Sequence, residues 1–290
     1  MQASGLRRPS GTQGVREEGE TQHSPTGQEE AVRKLSCCAY SYRELLTKDK
    51  MTLEGFLDTC VELGFDGVEL TQYYFPQEDD EYLANLKREV FTRGLGVAGT
   101  AIGGNFINED AEARRKQIDH VKDWLVKSAK LGSPVLRVFA GYQPDGVDLE
   151  TAEDWVRDGL AECAPVAAEC GVVLGLENHG GVTADADGVL RLLDPFADEP
   201  WVGLNLDFGN FTGDIYGQYA RCAAHAVTTH AKVTVRQGEE RERVDYRKIV
   251  RLMREAGYAR YLSIEFEERE DPVVGVDRFA AYLRGCMVDA

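Results

Sequence analysis

The stretch VVLGLENHGG, Val172 to Gly181, decides the fold. A nearly unbroken apolar run reads as a strand buried on both faces, the habit of parallel sheets. Yet it runs straight into Glu177, Asn178 and His179, followed by two glycines. A buried strand ends on a carboxylate, an amide and an imidazole only where its tip meets solvent or a polar site.

The same texture recurs on both sides. Short apolar or β-branched runs stand at 35–40 (LSCCAY), 66–70 (DGVEL), 96–101 (GVAGTA), 134–140 (PVLRVFA), 202–207 (VGLNLD), 226–232 (AVTTHAK) and 261–266 (YLSIEF). Between them lie amphipathic segments of helical period, such as 51–64, 111–132, 151–171 and 245–257, several of them closed by glycine before the next strand. Eight strands alternating with about eight helices predict a (β/α)8 TIM barrel. A doubly wound open sheet is the rival, but its glycine-rich phosphate loop is absent after the first strand, CCAYSYRELL. Residues 1–33 are rich in Gly, Ser, Thr, Gln and Glu and hold almost no large apolar side chain. The expectation is therefore a disordered tail over 1–33 and a single barrel domain over 34–290.

The formal charge is −17, and the five basic and five acidic residues of 1–34 cancel, so the excess lies on the barrel. Such a surface repels nucleic-acid backbones and anionic membranes. Seven cysteines without CxxC spacing read as reduced, mostly buried thiols of a cytoplasmic protein. No apolar run is long enough to span a bilayer. A small-molecule substrate is expected, and homo-oligomerisation is left open.

Barrel strands turn alternate residues toward the axis. With Leu174 and Leu176 outward, Glu177 faces in; with Leu204 and Leu206 outward, Asn205 and Asp207 face in. With Val227, Thr229 and Ala231 outward, Thr228, His230 and Lys232 face in; with Leu262, Ile264 and Phe266 outward, Ser263 and Glu265 face in. Four late strands thus each deliver one potential ligand at their C-terminal ends: Glu177, Asp207, His230 and Glu265. Three converging carboxylates repel one another strongly in a low dielectric. One divalent cation resolves the conflict, and this oxygen-rich set suits Mn²⁺ or Mg²⁺, with Co²⁺ or Zn²⁺ as further choices.

ELGFDGVEL (62–70), LENHGG (176–181), LDFGN (206–210), THAKV (229–233) and LSIEFE (262–267) together resemble the xylose-isomerase-like barrel superfamily, in its sugar (phosphate) isomerase and epimerase branch. The resemblance covers about residues 35–288. It implies that Glu177, Asp207, His230 and Glu265 bind one divalent cation, that the two glutamates are the acid/base pair, and that the substrate is a small ketose or polyol. The DNA-repair relatives of this superfamily use a histidine cluster for zinc, whereas this chain has five histidines, one of them in the tail. Ketose epimerases commonly carry a histidine where Asn210 stands.

The chemistry expected is proton abstraction beside a carbonyl through an enediolate, with Glu177 and Glu265 acting on opposite faces and Lys232 as a supporting cation. If a β-hydroxyl or aglycone leaves, the same step makes a dehydratase or lyase acting on a keto-inositol or 3-keto-glycoside. A catalytically silent sugar-binding barrel is the third reading. His179, Asn178, Asn210, Tyr40 and Arg137 are expected to contact substrate or brace the site. Glu69 and Arg137, both inward, are expected to form a buried ion pair, and Tyr73 to Phe75 to offer an aromatic wall. RQGEERER (236–243) reads as an exposed mobile loop, and EFEEREDP beyond Glu265 as a solvated rim.

Overall fold

Every apolar run becomes a strand because a parallel sheet covered by helices hides both of its greasy faces. The computed structural model describes residues 34–289; the expected tail over 1–33 lies outside the described residues. The strands are β1 (Lys34–Cys38), β2 (Gly67–Thr71), β3 (Gly96–Asn105), β4 (Val135–Phe139), β5 (Val173–Glu177), β6 (Val202–Asp207), β7 (Ala226–Ala231), β8 (Thr234–Gln237), β9 (Glu240–Arg243) and β10 (Tyr261–Ile264). Eight of them close a parallel barrel in the order β1-β10-β7-β6-β5-β4-β3-β2, while β8 and β9 form a separate antiparallel ribbon. The fold is the expected (β/α)8 barrel.

Helices α1 (Arg43–Thr47), α2 (Leu53–Glu62), α3 (Asp80–Thr92), α4 (Ala111–Leu131), α5 (Leu149–Cys170), α6 (Ala186–Leu193), α7 (Ile215–Cys222), α8 (Tyr246–Glu255) and α9 (Pro272–Asp289) fill the connections. Side chains start most of them: Thr52, Asp79, Asp110, Asp148, Asp185, Asp214 and Asp245 each accept a backbone N–H from the first turn of α2 to α8 in order. Gly132 and Gly171 stop α4 and α5 in the left-handed region, at φ 80° and 66°. The core lies between barrel and helices, where Leu174, Leu176, Leu204, Leu206 and Ile264 of the strands and Trp124, Leu125, Val156 and Leu160 of the helices are all fully buried. Each such leucine contributes about 1.5–3 kcal/mol by leaving water.

Three local expectations need correction. Residues 236–243 are not a loop: Arg236 and Gln237 pair with Arg241 and Glu240 in the β8–β9 ribbon. Strand β1 stops at Cys38, so Tyr40 belongs to a 3-10 turn (Ala39–Tyr42) and not to the strand end. The β6–β7 register slips between Leu204 and Asn205, which face Ala226 and Thr228. Val227 is thereby left beside Gly203, lining a cavity of about 320 Å³ at the N-terminal mouth instead of packing under the helices. From Thr228 onward the register sets Asn205 against Thr228 and Asp207 against His230. All seven cysteines are free, and only Cys170 is not fully buried.

Leu204→Ala is expected to lower unfolding free energy by about 2–5 kcal/mol, because the barrel wall cannot collapse onto the gap. Urea titration followed by circular dichroism reads it as a lower midpoint at unchanged slope.

Candidate metal centre and active site

The slip in register has a functional result: it sets Asp207 directly opposite His230, while Phe139 pairs with Glu177, Glu177 with Asn205, and Ser263 with His230. Glu177 and Asp207 close β5 and β6, His230 is next to last in β7, and Glu265 follows β10. One ligand atom from each of the four lies within 4.8 Å of the others, and all four residues are buried. Nδ1 of His230 faces Glu265 Oε2 at 3.4 Å and Glu177 Oε2 and Asp207 Oδ2 at 3.6 Å each.

Other side chains brace these tips. Arg137 does not pair with Glu69, as parity suggested. Its Nε lies 3.2 Å from Glu177 Oε2, its Nη1 donates to the Ile102 carbonyl at 3.1 Å, and its guanidinium stacks 3.9 Å above the Phe139 ring. Glu69 instead takes His230 Nε2, at 2.9 and 3.0 Å from its two oxygens. Parity states which residues face the axis but not how high a long side chain reaches along it. Lys232 donates to Glu265 and, at 2.6 Å, to Glu267, with Asp207 Oδ2 3.5 Å away. Glu267 is therefore part of the Lys232 network and not a bare solvated rim; Glu268 likewise accepts from Thr234 and Arg241 of the ribbon. Gly209 makes room for Lys232: a Cβ there would stand 2.5 Å from the lysine Cγ.

Asn178 uses both ends of its amide on the Asp207 backbone, accepting from its N–H at 2.7 Å and donating to its carbonyl at 3.0 Å. Asn210 donates to Glu177 Oε1 at 3.4 Å. His179 is exposed, its ring 4.5 Å from Phe139. It lines, with Tyr73, Asn105, Phe139, Tyr142 and Thr183, a chamber of about 200 Å³ beside the cluster. The expected aromatic wall divides: Tyr73 faces this chamber, while Phe75 packs against Trp124 and Tyr82. Tyr40 is half-buried under the Arg43 guanidinium. Asn205 was legible as inward-facing, yet its part in the cluster was not: its Nδ2 donates to Glu177 Oε2 at 3.1 Å and stands 3.2 Å from His230 Nδ1.

Burial pushes the Glu177 and Glu265 carboxyls up, but His230 with Arg137 for the first, and His230 with Lys232 for the second, outweigh it and hold both below the usual range, Glu265 far below. Burial raises Asp207, which Lys232 only partly offsets. His230 is pulled down by burial yet held well above its ordinary value by Glu265, Glu69 and Glu177.

A family model described as xylose isomerase-like TIM barrel matches residues 57–286. The chain belongs to that family. A curated relative, the C-glycoside deglycosidase alpha subunit of Microbacterium trichothecenolyticum, is 26% identical over 179 residues, 59% of this chain and 45% of the relative. The chain thus spans less than half the length of that relative. Among solved structures, D-psicose 3-epimerase from Clostridium cellulolyticum superposes with a TM-score of 0.68 at 17% identity, covering 88% of this chain and 97% of that one. The 3-keto-D-glucoside 4-epimerase of E. coli gives 0.66 at 20% identity, covering 80% and 94%. Both show a shared fold. Among the described residues no helix is long and apolar enough to cross a membrane.

The four tips fit a divalent cation on charge alone. Glu69, Glu177, Asp207 and Glu265 are buried carboxylates, and Arg137 and Lys232 are the buried fixed cations beside them. Two negative charges remain once these are set against each other with the His230 imidazole neutral, as it is when it ligates an ion. Asp207 Oδ2 is buried without a hydrogen-bond partner, the mark of an atom shaped for another ligand. Because His230 holds its proton well above the ordinary histidine range, the free protein carries more protons than the loaded one, and affinity rises with pH. Titration calorimetry with Mn²⁺ at pH 7, in two buffers of different ionisation enthalpy, is expected to show release of about one proton per ion. Heats that do not change between buffers would refute this linkage.

Proposed function

We propose that the protein is a divalent-cation-dependent enzyme that removes a proton beside the carbonyl of a small sugar or polyol, with isomerisation or epimerisation as the outcome. The observation that carries this reading is the meeting of Glu177, Asp207, His230 and Glu265 within 4.8 Å at the C-terminal mouth of the barrel. The hard, oxygen-rich donor set and the residual charge of two favour Mn²⁺ or Mg²⁺. When bound, such an ion supplies Lewis-acid polarisation of a substrate oxygen.

The chain's own residues supply the rest. Glu177 and Glu265 belong to strands β5 and β10, which are not neighbours in the barrel, so they approach a substrate from different sides. Their lowered pKa keeps both ionised at neutral pH, able to accept a proton from carbon. One carboxylate takes the proton and the other returns one to the opposite face, which inverts the carbon. Arg137 steadies Glu177, and Lys232 steadies Glu265 while aiming a cationic N–H into the site. The chamber lined by Tyr73, Phe139, Tyr142 and His179 takes the part of the substrate distant from the reacting carbons. Seven free thiols support a cytoplasmic setting.

A second reading is a lyase on a 3-keto-glycoside, supported by the likeness to a C-glycoside deglycosidase subunit and by the chamber, which has room for a group beyond one sugar ring. Deprotonation beside the keto group is common to both, and loss of the aglycone replaces reprotonation.

Incubation in D₂O with a panel of ketoses and keto-glycosides separates the two. Deuterium at a sugar carbon with no group lost supports epimerisation, and an unsaturated sugar plus free aglycone supports the lyase. Glu265→Gln is expected to lower kcat about 10²–10⁴-fold, as loss of a general base does. A Glu265→Gln protein with unchanged turnover would remove both readings. Gly209→Ala is expected to lower kcat without unfolding the barrel, because the added methyl displaces the Lys232 stem; kcat equal to wild type would show that the lysine position is immaterial.

A further inference from the structure

We propose that Glu69 is the positioning residue that decides which nitrogen of His230 is presented to Glu177, Asp207 and Glu265. The inference deepens the cation-site reading above and rests on it.

Glu69 comes from β2, on the far side of the barrel from β6, and does not belong to the four-residue ligand cluster. Both of its oxygens lie within hydrogen-bond distance of His230 Nε2, at 2.9 and 3.0 Å. An ionised carboxylate only accepts hydrogen bonds, so Nε2 must carry the hydrogen. In the neutral ring the lone pair then sits on Nδ1, the atom that faces Glu265, Glu177 and Asp207. Asn205 Nδ2 stands 3.2 Å from Nδ1 and 3.1 Å from Glu177 Oε2, so a neutral Nδ1 has a donor beside it.

Glu69 is itself fixed from two sides. Ser263 Oγ donates to its Oε2 at 3.2 Å, and Cys38 Sγ donates to its Oε1 at 3.4 Å. These partners come from β10 and β1, so three adjacent strands hold the carboxylate that orients the ring. A ring turned or tautomerised the other way would aim an N–H at the carboxylate cluster and leave no lone pair for an ion. Carboxylates that hold a ligating imidazole in this way commonly change metal affinity by about 10–100-fold when removed.

The test uses the full chain and Mn²⁺ alone. Glu69→Leu, which removes the acceptor at similar size, is expected to weaken the Mn²⁺ Kd about 10–100-fold. Glu69→Gln, whose amide oxygen still accepts from Nε2–H, is expected to fall between the Leu variant and wild type. Nitrogen-15 spectra of histidine-labelled protein, taken above the imidazole titration, should show Nε2–H in wild type and a shift toward Nδ1–H in Glu69→Leu. A folded Leu variant with wild-type Kd and an unshifted tautomer overturns the proposal. If Glu69→Leu does not fold, Glu69→Asp, one methylene too short to hold Nε2, must show the weaker Kd, and an unchanged Kd there overturns it equally. Should wild type bind no Mn²⁺ at all, the cation-site reading fails, while the nitrogen spectra still decide whether Glu69 sets the tautomer.

Discussion

Two negative charges without a fixed counter-charge sit at the C-terminal mouth of the barrel, among side chains the fold does not allow to separate. The strands bearing Glu177, Asp207 and Glu265 are hydrogen-bonded in a closed ring, so no strand can move outward without breaking its neighbours' ladders. At an effective dielectric of 20, two like charges about 4 Å apart repel by about 4 kcal/mol. The residues around the cluster distribute that repulsion. Arg137 is committed to Glu177, and Lys232 to Glu265 with Glu267. His230 lies among Glu69, Glu177, Asp207 and Glu265 at once. Asp207 Oδ2 is left without a hydrogen bond, with Lys232 Nζ 3.5 Å away.

Alternation along the strands carried most of the site into view before any coordinates. A residue's side of a strand is set by a period of two, and Leu174, Leu176, Leu204 and Leu206 announce the outer side so clearly that Glu177 and Asp207 must face in. The same rule misplaced Val227, because the β6–β7 slip inserts a residue at a point where AVTT offers no contrast of polarity. It also paired Arg137 with Glu69, since parity carries no information on how far a guanidinium climbs toward the mouth. Tyr40 and the 236–243 ribbon were misread for a different reason: strand length at the rim depends on contacts between loops, such as Glu268 with Thr234 and Arg241, which have no local signature. Asn205 and Ser263 were seen as inward-facing, but their roles depend on a single imidazole between them.

The mouth of the barrel divides into parts with different duties. The side formed by β7, β10 and the ribbon is rich in ion pairs, linking Lys232, Glu265, Glu267, Glu268 and Arg241. The side formed by β3, β4 and β5 is aromatic, with Phe139 between Arg137 and His179 and with Tyr73 and Tyr142 around it. A polyhydroxylated ring has polar edges and apolar faces, and a mouth divided in this way can read both. Fold alone does not choose among the family's reactions. In the readings proposed above, that choice would lie with the aromatic side, where a leaving group or a second ring would rest.

The arrangement also limits how the chemistry can be divided among residues. The neighbours that hold Glu177 and Glu265 ionised make each carboxylate a weaker base, since a lowered pKa means less affinity for a proton. Proton removal from carbon is then favourable only if the charge arriving on the neighbouring oxygen is met by donors already in place. Lys232, buried beside Glu265, is one such donor, and its charge is not spent on water. In the proposed mechanism the catalytic weight then shifts from the bases to the positive groups and to whatever orients them. Glu69 and Glu267 touch His230 and Lys232 from behind, and neither reaches the shared centre of the cluster.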